Sequence, residues 1–289
     1  MNVLSLFDGM SCGQIALERV GIKVDNYFAS EIDKYAIQVT QKNYPNTIQL
    51  GDITAIKGSD LPKIDLVMGG SPCQGFSFAG KQLNFDDPRS KLFFEFVRLL
   101  KETEPKYFLL ENVKMKKEYQ DIISECLGID PICINSTIFS AQNRERLYWT
   151  NIPLKGVLLD RGILLRDIVD VQFERKVVDR SRIIKSWKTN NYFQYDLTGK
   201  GYKSQDQRAY FLDGKHGTIP SHGASSKVKV MLDNGNIVQL TPIECERLQT
   251  VPDNYTNVVS NTQRYKMLGN GWSVDVIAHI FNGLLDENI

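Results

Sequence analysis

The sequence predicts an α/β fold: a parallel sheet with helices on both faces, joined to a small irregular second domain. Three observations predict it. Short apolar runs alternate with amphipathic stretches through the first half of the chain, the pattern of strand–helix–strand units. These runs end on an acid or a glycine, as strands do where they break into turns. The periodicity fades after about residue 155 and returns at Thr241, which sets domains at 1–155, 156–239 and 240–289, the last returning to the first.

Residues 3–7 form the first buried-strand candidate, stopped by Asp8-Gly9. A helix follows over 14–20 and closes at Gly21. Residues 27–30 make a second strand ending at Glu31, and 64–68 a third running into Gly69-Gly70. Ser90 can cap a helix that puts Leu92, Phe93, Phe96, Val97, Leu99 and Leu100 on one face. Residues 107–110 are another strand, followed by Glu111. Ligands of such sheets bind beyond the carboxyl ends of the strands, so Asp8, Glu31, Gly70 and Glu111 should converge on one crevice. Residues 175–240 are basic and polar, with strand candidates such as 227–232. Thr241-Pro242-Ile243-Glu244 is a capping box with Pro at the first helical position, and 273–285 reads as the last helix.

Composition narrows the class. With 42% hydrophobic and 24% charged residues among 289, disorder, collagen and coiled coil are excluded for the whole chain. No apolar run approaches the ~18–20 residues that span a bilayer, and MNVLSLFDGMSCG lacks the basic start of a secretory signal. Five cysteines without CxxC spacing argue against a disulfide framework or a metal site, and for a reducing compartment. Net charge is +1, yet residues 151–240 hold 15 Lys/Arg against 9 Asp/Glu. That concentration points to a surface facing a polyanion.

Five segments carry chemistry. FDGMSCGQ turns out of the first strand on small residues that let backbone N–H groups approach a ligand. Glu31, 23 residues past Asp8, suits a ribose diol. In GGSPCQGFS, Cys73 follows a buried strand and a rigid Ser-Pro. A thiol is largely protonated at neutral pH but intrinsically nucleophilic, so it needs an acid or base partner. Glu111, ending the next strand in LLENV, is the candidate, with Asn112 and Val113 completing the turn. Cys12, Cys126, Cys133 and Cys245 read as small buried hydrophobes. QNRER places Arg144 and Arg146 on one face if the segment is a strand, and Gly269-Asn270-Gly271 offers a second close backbone approach.

The ordered set FDGMSCGQ, SEID, GDI, GGSPCQGFS, ENV, QNRERLY, LTPIECERLQTVPDNYT and MLGNGWSV resembles the DNA (cytosine-5)-methyltransferase family. The variants GGSP and GNGWSV are most similar to the branch containing the animal de novo enzymes. The motifs leave out only about 155–239, where the family places its target-recognition domain. The resemblance implies a Rossmann-like methyltransferase sheet, S-adenosylmethionine as donor (S-adenosylhomocysteine as product), no metal, and cytosine in duplex DNA as acceptor.

It also implies roles. Phe7 would stack on adenine, with Asp8, Gly9, Met10 and Ser11 in the cofactor loop. Glu31 would bind the ribose, beside Ile32; Asp52 and Ile53 would meet the adenine ring. Ser71, Pro72, Asn270, Trp272 and Ser273 complete the donor site. Cys73 would be the nucleophile, Glu111 the acid that holds the base, and Arg144 and Arg146 its anchors. Gln74, Ser77, Lys81 and Arg89 would contact DNA from a closing loop. The basic segment would add Arg175, Lys176, Arg180 and Arg182, with Lys185 and Lys188, as phosphate contacts. A cytoplasmic monomer is implied, at the nucleoid in a bacterium or phage, with a cognate restriction endonuclease as a candidate second partner. Two alternatives share the scaffold: an RNA cytosine-5 methyltransferase, whose Cys-Phe-Thr signature is not found, and an inactive DNA-binding regulator, which would lack Cys73 or Glu111.

Overall fold

The structure is a computed structural model that describes residues 1–71, 88–197, 199, 207–221 and 228–285, with only the backbone of 88–90. It divides into two compact units: Met1–Asn135, Glu145–Gly156 and Val276–Ile289 in the first, Ser136–Arg144 and Val157–Asp275 in the second.

The first unit is built on a seven-stranded sheet of order β3-β2-β1-β4-β5-β7-β6. Its strands are β1 (Asn2–Leu6), β2 (Asn26–Ser30), β3 (Ile48–Gln49), β4 (Leu66–Gly69), β5 (Tyr107–Val113), β6 (Ile132–Asn135) and β7 (Glu145–Thr150). The first five are parallel, whereas β7 is antiparallel to both of its neighbours. Every residue of β4 is buried, as expected of a parallel strand covered on both faces. Helices α1 (Cys12–Arg19), α2 (Lys34–Asn43), α3 (Pro88–Thr103) and α4 (Lys117–Leu127) connect the strands. Phe93, Phe96 and Leu99 of α3 pack with Leu4, Leu6, Val67, Leu110 and Trp149 in the core.

The chain passes from β1 to β2 on one side and returns to β4 on the other. This is a topological switch point, where a crevice opens at the carboxyl ends. Gly69 ends β4 there. A Cβ on it would stand 2.7 Å from the Leu6 carbonyl oxygen and 3.2 Å from the Phe96 ring, so only glycine fits.

Two helix limits differ from expectation. Helix α3 begins at Pro88, so Ser90 lies inside its first turn and is not its cap. Proline at the start of a helix has a preset φ and lacks an N–H that the first turn cannot use. The last helix, α7 (Val274–Phe281), stops early and tightens into a 3₁₀ turn at Asn282–Leu284.

The second unit holds a five-stranded sheet of order β12-β11-β10-β9-β8. Its strands are β8 (Lys185–Lys188), β9 (Tyr192–Asp196), β10 (Arg208–Phe211), β11 (Lys229–Met231) and β12 (Ile237–Gln239), around Tyr195, Ala209 and Ile237. It also takes in α5 (Pro242–Leu248) and α6 (Asn261–Asn270), part of the segment that the sequence assigns to the first domain. Local bonds explain this grouping: Tyr265 donates to the Leu240 carbonyl, and Ser140 to that of Leu248. The capping box at Thr241 and Glu244 forms as expected. No helix among the described residues is long and apolar enough to cross a membrane.

Replacing Gly69 with alanine should destabilise the chain by about 1–3 kcal/mol through overpacking. Urea denaturation measures it; an unchanged midpoint would mean that the Leu6 backbone gives way freely.

Candidate active site

The turn after β1 is held from beneath. Asp8 points inward, where its carboxylate accepts hydrogen bonds from the Tyr27 hydroxyl at 2.7 Å and from the Ser11 hydroxyl. Burial pushes the Asp8 carboxyl up to about 6, against the lowering effect of those hydrogen bonds and with help from the charge of Glu31. Phe7, Gly9 and Ser11 all adopt left-handed conformations, with φ of 57°, 60° and 61°. Two of the three are not glycine, so the turn stores strain that its partners must hold. Glu31, just past β2, accepts the Gly9 N–H at 2.7 Å and the N–H groups of Ile32 and Asp33 at 2.8 Å each. Beside it the Ile32 side chain is 76% exposed. Asp52 caps a 3₁₀ turn by accepting the Thr54 N–H and hydroxyl, which lower its carboxyl, while Ile53 is buried in the core.

The second cluster forms where β5 ends. Glu111 and Arg146 pair at 3.0 Å, with side chains only 10% and 13% exposed. The register explains it: Val113 stands opposite Arg146 and Glu111 opposite Tyr148, so Glu111 and Arg146 are diagonal neighbours on one face. Next to them Asn112 turns to the other face and donates to the Ser71 hydroxyl at 3.2 Å, tying the end of β5 to the end of β4. Two separate strand ends thus present carboxylates, one beneath a glycine turn and one against a guanidinium.

Arg144 does something different from Arg146. It precedes β7, is buried, and donates to the carbonyls of Gly269 and Gly271 at 3.1 and 2.9 Å. Those carbonyls belong to the turn that follows α6, where Asn270 is exposed, Trp272 half-buried and Ser273 buried. The expectation that both arginines work from one face is corrected: the strand starts at Glu145, so only Arg146 obeys its alternation.

A family model of C-5 cytosine-specific DNA methylases matches residues 1–286. The chain belongs to this family. It is 33% identical to the type II methyltransferase M1.ScrFI of Lactococcus lactis subsp. cremoris, across 99% of this chain and 78% of that protein. It is 28% identical to the type II methyltransferase M.HhaI of Haemophilus parahaemolyticus, across 97% and 93%. The solved Dnmt2 methyltransferase of S. pombe superposes with a TM-score of 0.76 at 20% identity, across 99% of this chain and 98% of that one, a likeness of fold. The chain is accordingly a DNA cytosine-5-methyltransferase.

Several residues expected to serve this methyltransferase lie outside the described residues: Pro72, Cys73, Gln74, Ser77, Lys81 and the side chain of Arg89. Of the basic candidates, Lys176, Arg180, Arg182, Lys185 and Lys188 are exposed. Arg180 also donates to the Gly235 carbonyl and lies over the Phe193 ring. Arg175 departs from expectation. Its side chain is 5% exposed, pairs with the buried Glu244 at 2.9 Å, and donates to the Phe173 and Asp170 carbonyls. Its charge is neutralised inside the methyltransferase and not offered to phosphate.

Sequence reasoning missed the Tyr27 partner of Asp8, the pairing of Glu111 with Arg146, and a buried amide cluster around Gln249. Gln142 and Gln249 both sit in quoted motifs, and a glutamine placed among core positions was the available signal.

The pH dependence of stability tests the inward position of Asp8. Its folded value, about 6, lies above the ordinary 3.8, so its contribution is greatest at low pH, declines from about pH 4, and is gone above about 6. Thermal melts of Asp8→Asn should therefore gain on the parent as pH rises from 4 to 6, then hold a constant offset. A constant offset throughout would place the carboxyl in water.

Proposed function

We propose that the chain transfers a methyl group from S-adenosylmethionine to carbon 5 of a cytosine flipped out of duplex DNA, through a covalent adduct with Cys73. The buried Glu111–Arg146 pair at the end of β5, in a chain of this family, carries the reading.

The donor's fit is supported by the first turn. Among the described residues, a Cβ on Gly9 would meet no atom within 4 Å, so the turn has room beside it there. The Glu31 carboxylate fixes that turn through the Gly9 N–H, and its remaining acceptor capacity suits sugar hydroxyls. The exposed Ile32 beside it offers an apolar surface for a ring to cover. Phe7, Asp52 and Asn270 are the further donor residues of this reading, with Trp272 and Ser273 beside Asn270. When bound, the donor supplies a methyl on a positively charged sulfur, an electrophile.

The acceptor needs activation, because carbon 5 of cytosine is a poor nucleophile within an aromatic ring. In this reading the Cys73 thiolate adds to carbon 6, forming a carbon–sulfur bond and moving an electron pair toward carbon 5. Glu111 shares a proton with ring nitrogen 3 as charge builds, and Arg146 orients that carboxyl and meets the cytosine carbonyl oxygen. Carbon 5 would take the methyl as the donor's methyl–sulfur bond breaks, its electron pair staying on the sulfur of S-adenosylhomocysteine. The carbon-5 proton would then leave to water acting as base, and the electron pair it releases would restore the double bond as the Cys73 thiolate departs. One hard step becomes two easier ones, helped by positioning. Extruding the base costs a few kcal/mol, which phosphate contacts from Lys176, Arg182, Lys185 and Lys188 would offset.

Bisulfite sequencing of duplex DNA incubated with the chain and donor tests the function: conversion-resistant cytosines should appear within one sequence context. Glu111→Gln should lower the rate about 10²–10⁴-fold without weakening donor binding. An unchanged rate would assign stabilisation of the ring to another group.

A further inference from the structure

Gln249 is a fully buried glutamine directly after α5, and it saturates its hydrogen-bonding capacity. Its Nε2 donates to the carbonyls of Leu268 at 2.5 Å and Gly271 at 3.0 Å. Its Oε1 accepts from Gln142 Nε2 at 2.8 Å and from the Ser273 hydroxyl at 3.0 Å. A side-chain amide has two donor hydrogens and two acceptor lone pairs, and all are used. No other side chain of this length satisfies that pattern: glutamate loses the donors, and methionine loses everything. The Gln249 carbonyl also accepts the Val274 N–H at 2.9 Å, at the start of α7.

The partners are organised in turn. Gln142, equally buried, accepts the Ile219 N–H at 3.0 Å and donates a second bond to the Leu248 carbonyl at 3.2 Å. Arg144 takes the carbonyls of Gly269 and Gly271 from its own side. A Cβ on Gly269 would run into the Pro220 carbonyl oxygen, so the backbone is wedged there as well. The bonds of Gln249 to Leu268, Gly271, Ser273 and Val274, those of Arg144 and the Pro220 contact converge on residues 268–274. The backbone of that turn is fixed on several sides, while Asn270 stays exposed and Trp272 half-exposed.

A buried polar cluster is costly unless every member is satisfied, and it contributes little net stability compared with apolar packing. Its yield is a single geometry. We infer that Gln249 is a positioning residue for methyl-donor binding, setting the Gly269–Ser273 turn so that Asn270 and Trp272 meet the donor. This rests on the donor site proposed above, and Gln249 itself does not touch the donor.

The test is isothermal titration of S-adenosylhomocysteine into the parent, Gln249→Glu and Gln249→Met, with steady-state kinetics at varied S-adenosylmethionine. Both variants should bind the product about tenfold more weakly, the worth of one to two hydrogen bonds. KM for the donor should rise in step, with kcat at saturation within about threefold of the parent and the Kd for duplex DNA without donor unchanged. Circular dichroism identifies a variant that fails to fold; the methionine variant, which carries no buried charge, then decides. Parent-like product binding by a folded variant overturns the inference, as does an equal loss in kcat, donor affinity and DNA affinity. Absence of product binding by the parent would instead overturn the donor site itself.

Discussion

A carboxylate held nearly out of water against a guanidinium, at the end of a central strand, is the constraint on which the candidate site of the first unit depends. Removing two charges from water costs several kcal/mol per ion, and apolar residues of the same volume would serve stability as well or better. The Glu111–Arg146 pair therefore does not exist for the fold's sake. Strand direction makes it attainable. Because β7 runs antiparallel to β5, its first residues lie at the carboxyl edge, where ligands bind. A parallel β7 would deliver the same arginine to the opposite edge. The one reversed connection in the sheet is thus what allows an arginine from QNRER to meet a glutamate from ENV.

The two units use polar burial differently. In the first, buried acids stand at strand ends: Asp8 beneath the glycine turn and Glu111 beside Arg146. In the second, polar burial is aimed at geometry. Glu246, fully buried, accepts from Arg264 and from Thr256, and Glu244 takes Arg175. Gln249 and Gln142 do the same with neutral amides. These contacts hold α5, α6 and the turn after α6 in one arrangement, although the helices themselves are short.

Much of the first unit was legible because its strands are continuous apolar runs and its turns begin with acids and glycines. The order around β1 and β4 follows from that pattern. What was not legible has local causes. Strand β3 is two residues long and carries no period. Strand β7 begins with charged residues, so it reads as a basic motif until its partner strand is known. Of the five-stranded sheet, the sequence marks the stretch 227–232, which holds β11, but not the sheet itself, because its strands span three to five residues with mixed polarity and one of them, β8, has every residue exposed. Arg175 and Lys176 are adjacent and chemically alike, yet one is buried against Glu244 and the other is exposed. Sequence gives the charge of such a residue but not the direction in which it points. The resemblance carried the family correctly, while the partners of Asp8, Glu111 and Arg144 required coordinates.

The central claim is a transient bond between the Cys73 sulfur and carbon 6 of an extruded cytosine. Replacing the carbon-5 hydrogen with fluorine leaves no proton to lose after methylation, so the adduct cannot resolve. Duplex DNA carrying 5-fluorocytosine, incubated with the chain and S-adenosylmethionine, should yield a denaturation-resistant protein–DNA complex whose mass includes the transferred methyl and whose cross-linked peptide contains Cys73. A complex linked through another residue, or methylated ordinary DNA with no captured complex from the fluorinated duplex, would contradict the account.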